Sequence, residues 1–350
     1  MTQVRRFTSS VLEAYDRGVE FGRHHRPEVT ATVASYRRLF EVKAIGPFDV
    51  DYWSAHAWER ILDLAPSMVD EIRGIADGAD LPVTTIAALN ARTEMLAIAN
   101  PTGVDECSTV VSLPAGRAPV AVQTWDWYDA MSAGWLHWTI PHPDGRVVQT
   151  VTEYGVLGKI GVNGDGVGVL FNMLHHENDV TGEIGYPVHL LSRQILDTAR
   201  GIDEAIDMAH AAKTSASTSL TVVEGRADGG AAVSIELFPG GPGLQRPEQG
   251  VLVRTNHFVS DAGRGGCLAD TIGPGSGLRR TTLLDRIGDR VPETAGDIIE
   301  AMHQHAEIGP VCAHPDPSMD RVLQHATLAT VSIDPAQQRL EVSPGGPCRR

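Results

Sequence analysis

The stretch Val104-Asp105-Glu106-Cys107-Ser108-Thr109-Val110-Val111 decides the fold, because the pattern of the chain changes there. Before it, apolar residues recur at about helical spacing, whereas after it short β-branched runs alternate with turn signals. Cys107 opens the first predicted strand, at the boundary between a helical part and a β-rich part of the chain. This placement makes Cys107 a candidate for an N-terminal nucleophile made by self-cleavage.

The first hundred residues predict a helical segment. Pro66 and Gly78 suit the first turn and the C-terminal end of one of its helices. Helices are expected at residues 9–25, 28–42, 51–63, 66–78 and 83–97.

The rest of the chain predicts mainly strands, separated by turns such as Asn163-Gly164-Asp165-Gly166. Because strands and helices come in blocks, the predicted fold class is α+β, as a four-layer α-β-β-α sandwich of two antiparallel sheets. Residues 261–277 are rich in glycine and predict a loop. Strands are expected at residues 107–113, 119–126, 135–140, 146–152, 156–162, 166–172, 218–224, 231–237, 250–255, 325–333 and 338–343, and helices at residues 186–199, 202–212, 278–290 and 294–305.

The composition argues against two classes of partner. The 350 residues include 44 acidic and 29 basic side chains, with a formal charge of −15 and no basic run, so nucleic-acid binding is not expected. No apolar stretch is long enough to span a membrane. The N-terminus lacks the apolar core of a signal peptide, so a cytoplasmic location is expected.

Neither the cysteines nor the histidines predict a metal site, a disulfide framework or a cofactor. Cys312 is interpreted as a small buried hydrophobe, and Cys267 and Cys348 lie in loops without an obvious partner. Neighbouring histidines point in different directions on a helix or a strand, and no nearby carboxylate completes a ligand set. The histidine pairs considered are His24-His25, His175-His176 and His303/His305.

Cys107 can be assigned a definite chemistry if the bond between Glu106 and Cys107 is cut. The residue then carries a thiol and a free α-amine, whose pKa of about 7.7–8.0 lets it accept the thiol proton. The thiol itself can make the cut, because its attack on the Glu106 carbonyl gives a thioester that water hydrolyses. The alternative is a cysteine packed in the core at the start of a strand.

Five motifs occur in an order that resembles one family. They are Asn90-Ala91-Arg92-Thr93-Glu94, Cys107-Ser108-Thr109, Gln123-Thr124-Trp125-Asp126-Trp127, Gly155-Val156-Leu157-Gly158-Lys159-Ile160-Gly161-Val162-Asn163 and Thr255-Asn256-His257. Together the chain resembles the acyl-CoA:6-aminopenicillanate (isopenicillin N) acyltransferase family, whose members are self-processing cysteine acyltransferases and hydrolases. The resemblance implies the N-terminal-nucleophile (Ntn) hydrolase fold.

The resemblance also implies roles for single residues. Cys107 matches the nucleophile, Asp126 the catalytic aspartate that holds the α-amine and the scissile turn, and Asn256 the asparagine near the oxyanion. Thr109 matches a threonine of processing, which acts at the Glu106–Cys107 bond. Without the resemblance, Asp126 and Asn256 could equally tie down a turn or a loop.

Aromatic residues near Asp126 are candidates for an acyl pocket. Trp127 and Tyr128 are expected to bind substrate, and the remaining tryptophans of this region are divided between pocket and core. His257 and Asn163 are interpreted as structural.

Two departures from the family pattern matter. The family's penicillin enzyme has glycine before its cysteine, whereas this chain has Glu106, and glycine tolerates strained backbone better. Leu323-Gln324-His325 stands where that enzyme has a Ser-Arg pair, so the catalytic arginine is missing from its expected place, and Arg321 is the candidate to replace it. Penicillin is therefore not implied as the substrate.

Three functions remain open. The first is an acyltransferase or amide hydrolase that acts on a small N-acyl amine, peptide or acyl thioester through an acyl-Cys107 intermediate. The second is a hydrolase of N-acyl amino acids or peptides without a role for acyl-CoA, and the third is an unprocessed binding protein. Acyl-CoA enters only as a substrate. Residues 1–106 and 107–350 are expected to stay together as one structural domain after the cut.

Overall fold

The fold is described from a computed structural model, which covers residues 3–100, 107–179, 182–269 and 275–349. Glu106 lies outside these ranges. The strands are β1 (Arg6–Thr8), β2 (Ser108–Ser112), β3 (Val120–Tyr128), β4 (Trp135–Pro141), β5 (Val147–Glu153), β6 (Ile160–Val162), β7 (Val167–Met173), β8 (Thr218–Arg226), β9 (Gly229–Leu237), β10 (Gly243–Gln245), β11 (Val251–Arg254), β12 (His325–Asp334) and β13 (Arg339–Pro344).

The strands form two sheets. The larger sheet has the order β1-β4-β5-β6-β7-β8-β9-β10, and the smaller sheet has the order β11-β2-β3-β12-β13. β1 pairs with β4 in parallel, and the other pairs are antiparallel. The inner faces meet where the Gln123 side chain of β3 binds the Phe171 backbone of β7.

Helices cover the outer faces of both sheets. α7 and α8 pack on the larger sheet, and α10 and α11 pack on the smaller one, which confirms the α+β, four-layer α-β-β-α arrangement. The helices are α1 (Ala14–His24), α2 (Arg26–Lys43), α3 (Val50–Leu64), α4 (Val69–Ala79), α5 (Val83–Asn90), α6 (Arg92–Ala99), α7 (Val188–Thr198), α8 (Ile202–Ala211), α9 (Asp261–Arg264), α10 (Gly275–Ile287) and α11 (Ala295–Met302). Among the described residues, no helix is both long enough and apolar enough to cross a membrane.

Strand alternation sorts the residues around Cys107 between the two faces of the smaller sheet. Cys107 and Val111 belong to the main core between the layers. Val110 instead joins a separate cluster with Leu283 of α10 and Ile298 of α11. The Cys107 side chain therefore belongs to the inner side of the smaller sheet.

The helical segment packs into the same core as the sheets. Phe21 and Tyr36 belong to the cluster that also contains Trp138 of the larger sheet. Buried ion pairs add to this contact, because Glu71 of α4 binds both Arg17 of α1 and Arg193 of α7. Residues 3–100 are therefore joined to the β-rich part by apolar and ionic contacts.

The structure departs from the sequence prediction at five places, one of which is the unpredicted strand β10. The helix expected at 83–97 is two helices, since Asn90 turns its side chain to Gly155 O and Leu157 N. The strand expected at 156–162 begins only at Ile160, because Gly155 has a positive φ of 94° that favours glycine. β1 was not predicted. The loop expected at 261–277 contains α9 and the start of α10.

Candidate active site

Cys107 lies directly before β2 and is 5% exposed. Its thiol is 3.5 Å from the backbone oxygen of Asp126. Its own carbonyl oxygen accepts hydrogen bonds from Asn172 Nδ2 at 3.1 Å and from an Arg279 guanidinium nitrogen at 2.9 Å. Side chains from β7 and α10 thus hold the backbone of the residue that was predicted to be the nucleophile.

Lys159 is a buried amine that interacts electrostatically with the Cys107 thiol. Its Nζ lies 3.8 Å from the centroid of the Trp125 ring and 3.6 Å from Glu153 Oε2. Burial lowers the pKa of Lys159 to about 7; Glu153 and the Cys107 thiol oppose this shift, and Arg92 adds to it. A fully buried amine with this pKa can take up or release a proton near neutral pH.

Glu153 connects Lys159 to the helical segment. Its carboxylate pairs with Arg92 at 2.6 Å and accepts a hydrogen bond from the Tyr36 hydroxyl. Burial would raise the pKa of Glu153, but Arg92 and Lys159 hold it below its ordinary value. The carboxylate therefore stays charged and compensates two buried cations.

The motif Asn90-Ala91-Arg92-Thr93-Glu94 positions the segment that carries Lys159. Asn90 binds the backbone at residues 155 and 157, and Arg92 binds Glu153. Glu94 accepts a hydrogen bond from Val188 N at 2.9 Å, at the N-terminus of α7, and burial raises its pKa to about 7. These residues anchor the hairpin that carries Lys159 and the start of α7.

Asp126 is adjacent to Cys107, but its two ends face different groups. Its backbone oxygen is near the Cys107 thiol, whereas its buried carboxylate acts electrostatically on the Cys312 thiol. Thr327 is its partner across the β3–β12 pair. The predicted role of this carboxylate at the α-amine of a cleaved chain stays a prediction.

Asn256 and Arg279 form a second polar contact at the start of β2. Arg279 donates to Asn256 Oδ1 at 3.0 Å, and Asn256 Nδ2 donates to Met173 O at 2.9 Å. Arg279 also donates to Ser108 Oγ at 3.1 Å. An amide Nδ2 carries two hydrogens, and the bond to Met173 O uses one of them.

The arginine at Cys107 comes from α10 and not from the region before β12. Arg321 is exposed in a turn ahead of β12, whereas Arg279 is buried against Cys107. The arginine that contacts Cys107 is therefore Arg279, a residue to which the sequence analysis assigned no role. The five motifs could not reveal Arg279, because it lies in a helix outside all of them.

Thr109 lies two residues after Cys107 on the inner face and reaches it through one intermediary. Its hydroxyl donates to Asn172 Oδ1 at 2.8 Å, and Asn172 Nδ2 donates to the Cys107 carbonyl. Thr109 therefore orients Asn172, and its predicted part in processing stays a prediction.

Trp127 and Tyr128 line a cavity of about 20 Å³ at the ends of β3 and β7. Trp127 donates from Nε1 to the Tyr36 hydroxyl at 2.8 Å, which fixes its ring. Met173, which also binds Asn256, lines the same cavity. The other lining residues are Lys43, Thr93, Leu96, Ala97, Asn100, Leu174, His175, Asp179, Ala216 and Ser217.

Sequence reasoning assigned no role to three residues that surround Cys107. Of the three, only Lys159 could have been noticed in the sequence, because it belongs to one of the five motifs. A lysine within an apolar, Gly-rich hairpin is expected to be buried, which is unusual for this residue type. Asn172 and Arg279 had no such signal, because only the pairing of β2 with the rest of the fold brings them to Cys107.

A second cluster lies near α11 and the C-terminus. The sequence showed no obvious partner for Cys348, but its thiol is 3.4 Å from that of Cys312. His305 and His314 join them, so that one ligand atom from each of the four residues lies within 4.8 Å of the others. Considering the histidines as neighbouring pairs could not detect this set, because it includes two cysteines and because Cys348 is distant in the sequence from the other three residues.

Comparison with known proteins identifies related sequences. A family model described as "Acyl-coenzyme A:6-aminopenicillanic acid acyl-transferase" matches residues 115–347. The "Acyl-coenzyme A:6-aminopenicillanic-acid-acyltransferase 40 kDa form" of Emericella nidulans is 35% identical over 133 residues, which cover 38% of this chain. The matched stretch spans 36% of the length of that relative.

Two solved structures are similar at low sequence identity. A Caenorhabditis elegans N-acylethanolamine-hydrolyzing acid amidase ortholog matches with a TM-score of 0.46 at 14% identity, over 68% of this chain and 100% of the other. Penicillin V acylase from Agrobacterium tumefaciens matches with a TM-score of 0.44 at 14% identity, over 68% of this chain and 83% of the other.

Proposed function

Because this chain belongs to the acyl-coenzyme A:6-aminopenicillanic acid acyl-transferase family, we propose that it is a self-processing Ntn cysteine acyltransferase or amide hydrolase. Cys107 is the nucleophile, and the substrate is a small N-acyl amine, peptide or acyl thioester. The observation that carries the proposal is the environment of Cys107: its carbonyl is held by Asn172 and Arg279, and its thiol is electrostatically coupled to Lys159.

The first step is cleavage of the precursor between Glu106 and Cys107. The thiol loses its proton, and sulfur attacks the Glu106 carbonyl carbon. The C–N bond then breaks, and the released nitrogen becomes the protonated α-amine of Cys107. Water hydrolyses the resulting thioester, which frees the Glu106 carboxyl group and regenerates the thiol.

Lys159 is the proposed proton acceptor in the precursor, where no free α-amine exists. Its buried amine, 3.6 Å from Glu153, has a pKa of about 7 and is coupled to the Cys107 thiol. A base whose pKa is near the working pH is effective in proton transfer. After cleavage, the α-amine of Cys107 can take over this task.

In the mature enzyme the Cys107 thiolate attacks the acyl carbonyl of the substrate. The amine or thiol leaving group departs with a proton, and an acyl-Cys107 thioester remains. The second Nδ2 hydrogen of Asn256 is the proposed donor to the oxyanion, a contact worth about 3 kcal/mol of the barrier. Asp126 is the proposed partner of the mature α-amine.

The aromatic and apolar lining at Trp127, Tyr128 and Met173 supports a small acyl group as the substrate portion that binds there. The cavity itself is only about 20 Å³, enough for about one water molecule, so an acyl group requires the lining side chains to move apart. The name of the Emericella nidulans relative combines an acyl-CoA donor with an amine acceptor, which supports both as candidate substrates. Glu106 in place of glycine supports the opposite case, an unprocessed binding protein.

Substrate turnover tests this proposal. Purified wild-type protein and Cys107→Ala are incubated with acyl-CoA, with and without an amine acceptor, and with N-acyl amino acids. Thioester loss that requires the amine supports a transferase, and release of free amine from N-acyl substrates supports a hydrolase. Equal turnover by wild type and Cys107→Ala, or none by either, contradicts the proposed mechanism.

A further inference from the structure

Two cysteines and two histidines converge in a cluster outside the active site. The Cys312 and Cys348 sulfurs are 3.4 Å apart. His314 Nε2 lies 3.5 Å from the Cys348 sulfur and 3.9 Å from the Cys312 sulfur. The His305 ring stacks on that of His314, with 5.2 Å between centroids, and all four ligand atoms lie within 4.8 Å of one another.

These separations are close to those of a tetrahedral zinc site. Zn–S bonds of about 2.3 Å and Zn–N bonds of about 2.0–2.1 Å place two sulfurs about 3.8 Å apart, and sulfur and nitrogen about 3.6 Å apart. The measured distances fall on both sides of these values. A set of two sulfurs and two imidazole nitrogens favours zinc over calcium or magnesium, which bind oxygen.

The fold brings the four residues together from two separate segments. His305, Cys312 and His314 belong to the connection between α11 and β12, in which the described residues form neither helix nor strand. Cys348 lies in a short 3-10 turn, Pro347–Arg349, after the last strand. The cluster therefore joins the connection between α11 and β12 to the C-terminal turn.

The backbone around Cys312 is already fixed in place. Cys312 N donates to Gln304 O at 3.1 Å. The next residue, Ala313, exchanges hydrogen bonds with Thr327 of β12. A Cβ at Gly346 would come within 2.2 Å of the Cys312 sulfur, so only glycine allows the C-terminal segment to pass there. The two sulfurs are thus placed by the fold rather than by a flexible tail.

We propose that His305, Cys312, His314 and Cys348 bind one zinc ion in a structural site. Four protein ligands leave no open coordination position, which is typical of structural and not catalytic zinc. Binding converts the two thiols to thiolates and releases their protons to solvent. His305 and His314 are exposed, so the ion can enter from solvent.

The proposed zinc site is connected to Asp126, the predicted catalytic aspartate, through one residue of β12. Ala313, between two of the ligands, binds Thr327, and Thr327 pairs with Asp126 across β12 and β3. A bound zinc ion would therefore hold the 312–314 segment against the outer face of the smaller sheet. This inference does not depend on the proposed acyl chemistry.

Metal content of the protein tests the proposal. The full chain is produced with a tag that lacks histidine, purified in reducing buffer, and analysed by plasma mass spectrometry. The expected result is one zinc ion per chain in the wild type and its loss in Cys348→Ser and His305→Ala. Cys267→Ser and His303→Ala are matched controls outside the ligand set, and they should retain the zinc.

A spectroscopic readout on the wild type guards against variants that fail to fold. Cobalt exchanged into the chelator-treated protein should give the intense visible bands and thiolate charge-transfer absorption of a tetrahedral site. The absence of zinc and of a tetrahedral cobalt spectrum overturns the proposal. Retention of zinc in both ligand variants, a different metal at full occupancy, or a Cys312–Cys348 disulfide in the reduced, folded protein overturns it as well.

Discussion

Lys159 connects the electrostatics of the site to its chemistry at the scale of a single residue. The amine lies close to Glu153 and the Trp125 ring and interacts electrostatically with the Cys107 thiol, and burial lowers its pKa to about 7. Above that pH the amine is neutral and can accept a proton, and below it the amine is an ammonium ion and cannot. The precursor should therefore process faster as the pH rises through neutrality.

We predict that the rate of precursor cleavage falls about tenfold per pH unit below pH 7 and levels off above it. Lys159→Arg keeps the positive charge, but the guanidinium does not give up its proton near neutral pH and so cannot act as a base. Cleavage should therefore slow by roughly 100-fold, and its rate should no longer change with pH around pH 7. Intact-mass time courses of freshly translated precursor measure both effects. Lys213→Arg, at an exposed position, is the matched control; an unchanged pH profile in Lys159→Arg would rule out Lys159 as the base.

Arg279 determines how the start of β2 is held. Its guanidinium donates to the Cys107 carbonyl, to Ser108 Oγ and to Asn256 Oδ1. We predict that Arg279→Met lowers kcat roughly 100-fold with a smaller change in KM, because the reacting groups lose their alignment. Arg290→Met, at an exposed position beyond the same helix, should have wild-type kinetics. A folded Arg279→Met enzyme with wild-type kcat would contradict this assignment.

The motif residues of the site could be predicted from the sequence, but their neighbours could not. Cys107 and Asp126 are recognisable because they stand in an ordered set of motifs, and the structure places them next to each other. Asn172 and Arg279 are ordinary residues of a strand and a helix, and only long-range pairing makes them part of the site. The same reason explains why Cys348 could not be matched to Cys312.

At the scale of elements, the fold class followed from the blocks of strands and helices, and most elements lie within a few residues of their predicted ranges. The predictions fail where a tertiary contact determines whether an element forms or where it ends. Asn90 ends α5 because it binds a hairpin more than sixty residues away. β1 is only three residues long and exists because β4 offers it a partner. Neither contact leaves a local pattern in the sequence.

The attachment of α6 to β5 gives a stability prediction at this scale. Arg92 and Glu153 form a fully buried ion pair, so Arg92→Met leaves the carboxylate with Lys159 as its remaining cation. We predict a loss of about 3 kcal/mol in the free energy of unfolding, of which Arg92→Met/Glu153→Gln recovers a part. Urea denaturation in a Cys107→Ala background, which is expected to stay one chain, measures it.

The control for that measurement is Arg38→Met. Arg38 is exposed and pairs with Glu41 only at the surface, so its replacement should change the free energy of unfolding by less than about 0.5 kcal/mol. If Arg92→Met were as mild as Arg38→Met, the buried pair would not contribute to the attachment of the helical segment.

At the scale of the whole molecule, the residues before and after Cys107 share one core and one sheet. β1 belongs to the helical segment yet forms the edge of the larger sheet. Two buried ion pairs, Glu71–Arg193 and Arg92–Glu153, each join the two parts. We therefore expect the two fragments of a cleaved chain to remain associated, since separation would expose this core to water.

The most direct test of the account is the intact mass and N-terminal sequence of the protein made with native Cys107 and as Cys107→Ala. The account predicts that the native protein yields two co-eluting fragments, residues 1–106 and 107–350, with Cys107 as a new N-terminus, while Cys107→Ala stays one chain. If both proteins remain a single chain of 350 residues, no α-amine forms at Cys107, and the central claim is wrong.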